Sequence, residues 1–293
     1  MFCDAHCHPL DLLDYLGTEE LESRLSGTAV AASSSDREQF EYNRGLAQKF
    51  QARAPFVLCF ALHPQFPAYA LRPEFLSDED MRGRDFVGEA MALLEELAAQ
   101  KSLGAIGETG FDLYDEGYRQ TEKVQEEIYI HHTGIAAKYG LPVVIHNRKA
   151  MHKIFAHEKI LKKLPAVIFH SWQGTPGEGD ALLRHGVNAF FSFGASIINN
   201  HKRAQACCAH FPLDRLLFET DSPFIPIQGS TFSSWTDLPR IYKTAAVLRS
   251  KPELLEPFYS GAGPSDDSSA GSSTESVLEN IIAANFTRAF QTR

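Results

Sequence analysis

Eight short apolar or β-branched runs punctuate the chain, most of them separated by stretches of helical periodicity: Phe2–His8, Thr28–Ser33, Phe56–His63, Ala105–Asp112, Pro142–Arg148, Ala166–Ser171, Ala189–Gly194 and Leu216–Asp221. This alternation constrains the fold more than any other feature. Strands that recur with helices between them pair in parallel, because each crossover returns the chain to the same end of the sheet. Eight units within 293 residues match an α/β protein of one domain, a closed (β/α)8 TIM barrel over 1–293.

The helical stretches carry the expected faces and stops. Ile128, His132, Ile135, Ala136 and Tyr139 fall on one stripe that ends at Gly140 and Pro142, and Met91, Leu94, Leu97 and Ala98 form another. Near the end of the chain, Ser276 and Glu279 have capping-box spacing ahead of Leu278, Ile281, Ile282, Phe286 and Ala289, which predicts a last helix starting there. The stretch from Ser260 to Glu275 is dominated by Gly, Ser and Asp and reads as a flexible low-complexity insertion over about 260–275.

With 44% hydrophobic residues the chain can fill a large interior. Its net charge of −9 argues against a protein that coats nucleic acid by backbone attraction, so a nucleic-acid substrate would need a local positive centre such as bound metal. Five cysteines, Cys3, Cys7, Cys59, Cys207 and Cys208, lack a secreted spacing pattern. A reduced, cytoplasmic setting is expected, with no signal peptide and no membrane span.

The chemistry is written at the ends of the runs. In Asp4-Ala5-His6-Cys7-His8, strand alternation turns Asp4, His6 and His8 to one face and Cys7 to the other. Two imidazoles therefore converge where barrel enzymes keep their sites. Glu108 follows Gly-Ala-Ile-Gly, His146 closes Pro-Val-Val-Ile-His, His170 closes Ala-Val-Ile-Phe-His, and Asp221 closes Leu-Leu-Phe-Glu-Thr-Asp. A single His or Asp in such a place is commonly a satisfied core residue or a helix cap. Six at the same end of five strands point to a metal site.

Four imidazoles and two carboxylates can serve two divalent ions about 3.5–4 Å apart with one carboxylate between them. Such ions lower the pKa of a bound water to about 7, and Asp221 could accept its proton, so Asp221 and Glu108 are the expected catalytic carboxylates. Zinc, manganese and magnesium all suit mixed imidazole and carboxylate ligands. His63 ends the third run on the inward parity, and Arg148 lies two residues past His146 on the same face; both are candidates for substrate binding, and both could equally pair with a loop carboxylate. Asp4 and Glu219 are expected to orient ligands.

These stretches resemble the TatD family of metal-dependent hydrolases, within the amidohydrolase group of barrels. The resemblance is carried by Asp-Ala-His-Cys-His at the start, Ala-Leu-His-Pro at 61–64, Gly-Glu-Thr-Gly-Phe-Asp at 107–112, Leu-Pro-Val-Val-Ile-His-Asn-Arg at 141–148, Phe-His-Ser-Trp-Gln-Gly at 169–174, Glu-Thr-Asp-Ser-Pro-Phe at 219–224, and Asn-Phe-Thr-Arg-Ala-Phe at 285–290. It implies that His6, His8 and Asp221 bind one ion, that His146 and His170 bind a second, and that Glu108 bridges them. It also implies deoxyribonuclease or exonuclease activity on DNA or small phosphodiesters. The chain departs from the family at His132, usually Gln, and at Ser171-Trp172, usually Cys-Phe. Related barrels cleave esters, lactones or amides with the same centre, which keeps an esterase, lactonase or deacylase as the alternative. A scaffold that has lost catalysis would not need an inward carboxylate at Glu108.

Overall fold

The computed structural model describes residues 1–70, 86–250 and 271–291. Eight strands appear where the apolar runs lie: β1 Cys3–Cys7, β2 Ala29–Ala32, β3 Phe56–Phe60, β4 Ala105–Asp112, β5 Val143–Arg148, β6 Val167–Phe169, β7 Ala189–Phe193 and β8 Leu216–Phe218. They pair in parallel in the order β1 to β8, so each strand lies beside the next in sequence. The ring is drawn shut beyond the end of β8. There the Asp221 N–H donates to the His6 carbonyl at 3.0 Å and the His8 N–H donates to the Ser222 carbonyl at 2.9 Å. Asp4 of β1 adds side-chain bonds to the same seam, accepting from the Thr220 N–H at 2.9 Å and from the Thr220 hydroxyl at 2.6 Å.

Helices cover the outside of the ring, and one hydrophobic core runs between them and the strands. The Glu122–Tyr139 helix stops at Gly140, whose φ of 67° is the left-handed conformation that ends a helix at little cost to glycine. Trp172 lies among Phe169, Phe191 and Phe211, with ring centroids 5.3, 4.8 and 5.9 Å away. The departure from the family pattern at this position therefore serves packing. Asn285 of the last helix donates to the carbonyls of Leu213 (2.7 Å) and Leu216 (2.8 Å), tying that helix to the start of β8.

Two expectations need correction, and a third falls partly outside the described residues. The apolar run 56–63 is strand only to Phe60; past it the Ala61 N–H makes a last bond to the Ser34 carbonyl, and His63 stands in the loop after β3 rather than on it. The last helix begins at Gly271, which puts Ser276 and Glu279 inside it instead of at its cap. The Glu279 carboxylate has turned to the N-terminal ammonium of Met1 at 3.1 Å. Of the expected insertion over 260–275, residues 260–270 lie outside the described residues, and 271–275 open this helix.

His132 is completely buried on the helix that packs against β4, with its Nδ1 2.8 Å from the Thr109 hydroxyl. Burial, with a smaller push from His131, lowers its imidazole to about 3, so the folded protein keeps the ring neutral. An unfolded chain takes up the proton below about pH 6.5, and the unfolded state gains about 1.4 kcal/mol for each further pH unit. This contribution to stability is complete above pH 6.5 and is lost as the pH falls towards 3. His132→Gln should flatten the fall in stability between pH 6.5 and pH 5 by about 2 kcal/mol, read from urea denaturation of both proteins at the two pH values.

Candidate metal centre

The C-terminal ends of the strands form one pit, and the six ligand candidates all lie in it. Glu108 and His146 sit within β4 and β5, His170 and His8 are one residue past β6 and β1, and Asp221 is three past β8. β4 and β5 must approach closely to bring Glu108 and His146 together. Gly110 allows it: its φ is 140°, it pairs with His146, and a Cβ there would run into the His146 carbonyl oxygen.

Glu108 is the hub. Its Oε1 lies 2.6 Å from His170 Nε2, 2.7 Å from His146 Nδ1 and 3.3 Å from His63 Nε2, while Oε2 lies 3.1 Å from His6 Nε2 and 3.8 Å from His8 Nε2. Asp221 Oδ1 is 3.6 Å from His8 Nε2 and 3.7 Å from His6 Nε2. Ring nitrogens also face one another, His6 to His8 at 3.0 Å and His146 to His170 at 3.1 Å. One carboxylate oxygen thus meets more imidazole nitrogens than it has lone pairs, and each facing pair turns two nitrogens to one point. A cation shared among these atoms satisfies them together.

Among the described residues, three sets have their donor atoms within 4.8 Å of one another: His6, His8 and Asp221; His6, Glu108 and His170; and His63, Glu108 and His146. The donor set, imidazole nitrogens beside ionised carboxylate oxygens and largely buried, fits a divalent metal site. Only the first set matches the grouping implied by the resemblance. In the others His170 stands with His6, and His63 joins His146, so His63 lies among the candidate ligands as well as at the cleft wall.

Charge explains the ionisation states. Burial alone would raise the Glu108 carboxyl, but the imidazoles of His170, His63 and His6 outweigh it and hold the group well below the ordinary carboxylate range. Asp221 behaves in the same way, lowered by His8, His170 and His6 against the effect of burial. Burial works downward on His170, His146 and His8, yet the neighbouring carboxylates pull all three upward, His170 furthest. His63 goes the other way because burial wins. The pit therefore holds fixed negative charge that attracts positive charge.

A further carboxylate, Asp112, was not among the sequence candidates. It is fully buried, with Oδ2 3.1 Å from His146 Nε2, 3.0 Å from Arg148 Nη1 and 2.7 Å from Gln65 Nε2. It holds the far nitrogen of His146, so that Nδ1 turns to Glu108. The signal available was its position four residues past Glu108 at the end of the same run. Of the expected orienting groups, Glu219 accepts from the Ser171 N–H at 2.7 Å and lies 3.5 Å from His170 Nδ1, and Asp4 accepts from the His6 N–H at 3.2 Å. Arg148 is held by Asp112 and lies over the Tyr114 ring at 4.2 Å.

These groups open into a cleft of about 680 Å³, lined by His8, His63, Glu108, His146, Arg148, His170, Asp221 and Phe224 among others. That volume is within the range of small-ligand sites. Among the described residues no helix is long and apolar enough to cross a membrane.

Comparison with known proteins gives a consistent result. The family model described as TatD related DNase matches residues 3–291. The uncharacterized metal-dependent hydrolase YabD of Bacillus subtilis (strain 168) is 31% identical over 153 residues, which cover 50% of this chain and 57% of that protein. The 3'-5' ssDNA/RNA exonuclease TatD of Dickeya dadantii (strain 3937) is 29% identical over 195 residues, 64% of this chain and 72% of that one. The crystal structure of YjjV, a TatD homologue from Escherichia coli K12, has the same fold: its TM-score is 0.71 at 18% identity, with 100% of this chain and 98% of that chain covered.

The geometry separates the hub from its support. Glu108→Ala should abolish tight uptake of zinc or manganese while leaving the circular dichroism of the barrel unchanged, since the core is built from the apolar layers. Asp112→Asn should weaken metal binding by roughly 10–100-fold, because it loosens His146 without removing a donor from the pit. Metal titration by calorimetry on the two variants distinguishes these effects.

Proposed function

The chain belongs to the TatD-related DNase family of metal-dependent hydrolases, and on that premise we propose that it cleaves phosphodiester bonds at nucleic-acid strand ends, with two divalent ions held in the pit. The reading rests above all on Glu108, an ionised carboxylate ringed by four imidazoles within 3.3 Å on the floor of an open cleft. His6, His8 and Asp221 would hold one ion and His146 and His170 the other, with Glu108 shared. Bound there, the metal supplies Lewis acidity towards a phosphate oxygen and makes water acidic enough to attack at neutral pH.

The chain's own groups do the rest. Asp221 is ionised and its backbone is tied to the His6 carbonyl, and its carboxylate would accept the proton of the attacking water. His63 keeps a neutral ring at pH 7 on the cleft wall. Arg148 has one guanidinium nitrogen tied to Asp112 and its guanidinium carbon 4.2 Å from the Tyr114 ring centre, and it would bind phosphate through parallel hydrogen bonds. The exonuclease named among the relatives supports a nucleic-acid substrate.

Chelation of the purified protein should remove cleavage of a labelled oligonucleotide, and manganese or magnesium should restore it. Arg148→Ala should keep its metal and raise the Michaelis constant about tenfold with little change in kcat, as expected for lost ground-state binding of phosphate. Undiminished cleavage after full metal removal contradicts the reading. Turnover confined to an ester and lactone panel transfers the same centre to the alternative hydrolase class.

A further inference from the structure

At 59% exposure, Phe224 is the most exposed large apolar side chain among the described residues. Single exposed apolar residues are ordinary on protein surfaces. This one borders the cleft three residues past Asp221, and its ring meets His8 edge to face with centroids 5.0 Å apart. Its backbone is fixed too: the Phe224 N–H donates to the Asp221 carbonyl at 2.8 Å, and the preceding Pro223 carbonyl accepts from Ser233 at 3.2 Å. The ring is anchored on one edge, beside a candidate metal ligand, with much of its surface open to water.

The opposite rim has complementary chemistry. In a ring of eight strands ordered β1 to β8, β4 and β8 stand across from each other. Tyr114, two residues past β4 and 50% exposed, carries the Arg148 guanidinium at 4.2 Å and the Lys149 ammonium at 4.3 Å from its ring centre. One rim offers a flat apolar surface, and the other offers two cations fixed on an aromatic ring. A nucleotide has the same division, with a flat base at one end and an anionic phosphate at the other.

We propose that Phe224 is the platform on which an unpaired nucleobase stacks, with a neighbouring phosphate held by Arg148 and Lys149 across the mouth. This deepens the phosphodiesterase reading and rests on it. A base inside a duplex has both faces covered by its neighbours, so the base that lies on Phe224 is one at a strand end. Every base has a π-face, so the platform is indifferent to sequence.

The test compares wild type, Phe224→Ala and Phe224→Trp, each loaded with manganese, on an oligothymidylate and on an oligomer of abasic tetrahydrofuran units of the same length, which has the phosphodiesters but no base. Phe224→Ala is expected to raise the Michaelis constant for the oligothymidylate about tenfold, with Phe224→Trp restoring it, and to raise that for the abasic oligomer far less. In parallel, a phosphorothioate oligonucleotide with a terminal 2-aminopurine is titrated into each protein. Stacking quenches its fluorescence with wild type and Phe224→Trp but not with Phe224→Ala. An unchanged oligonucleotide Michaelis constant, an equal rise for both substrates, or a change in oligomeric state without loss of quenching overturns the platform. If wild type turns over neither substrate, the phosphodiesterase reading fails and the fluorescence titration decides the stack alone.

Discussion

The seam between β8 and β1 is the constraint on which the rest of the molecule depends. A parallel sheet that stopped at β8 would leave two edges and separate His6 and His8 from Asp221. The closure runs through backbone bonds from Asp221 to His6 and from His8 to Ser222, stitched by the Asp4 carboxyl to Thr220. The groups that shut the ring are thus the immediate neighbours of the groups that face the pit. Burial pushes the Asp4 carboxyl up to about 8, against the pull of its bonds from Thr220 and His6, so this joint is sensitive to its own surroundings. Fold and chemistry share the same few residues there.

Within the ring, charge is arranged from the centre outward. Glu108 is surrounded by imidazoles, and those imidazoles are held from behind by carboxylates: Asp112 behind His146 and Glu219 behind His170. A carboxylate behind an imidazole fixes the orientation of the ring and increases its basicity. Arg148 sits one step further out, balancing Asp112 at the rim. Negative charge in the interior thus comes with an immediate partner, which keeps the desolvation of so many ionised groups tolerable.

Much of this was legible in the sequence because strand-forming runs and their polar ends are local signals. Parity alone brought Asp4, His6 and His8 to one face, and apolar runs ending in Glu108, His146, His170 and Asp221 marked the mouth. What stayed hidden depended on register between strands. Asp112 closes the same run as Glu108, yet its partnership with His146 follows from how β4 and β5 align across an irregularity between Ile106 and Thr109. His63 lay beyond the end of its strand because Ala61 and Leu62 are apolar without belonging to the ladder. Spacing at Ser276 mimicked a helix start, though nothing in residues 271–275 prevents the helix from running through. Phe224 would pass for core in any reading of composition, and only the folded chain leaves it in the open.

The seam also imposes an order of events on the growing chain. His6 and His8 precede Asp221 by more than two hundred positions. During synthesis the two imidazoles of β1 therefore exist without the strand that completes their pocket, and the ring cannot shut until β8 has left the ribosome. An ion captured by the finished pit adds its binding energy to the closed state alone. An ion held there would thus make metal supply during synthesis a determinant of how much of the chain persists in folded form.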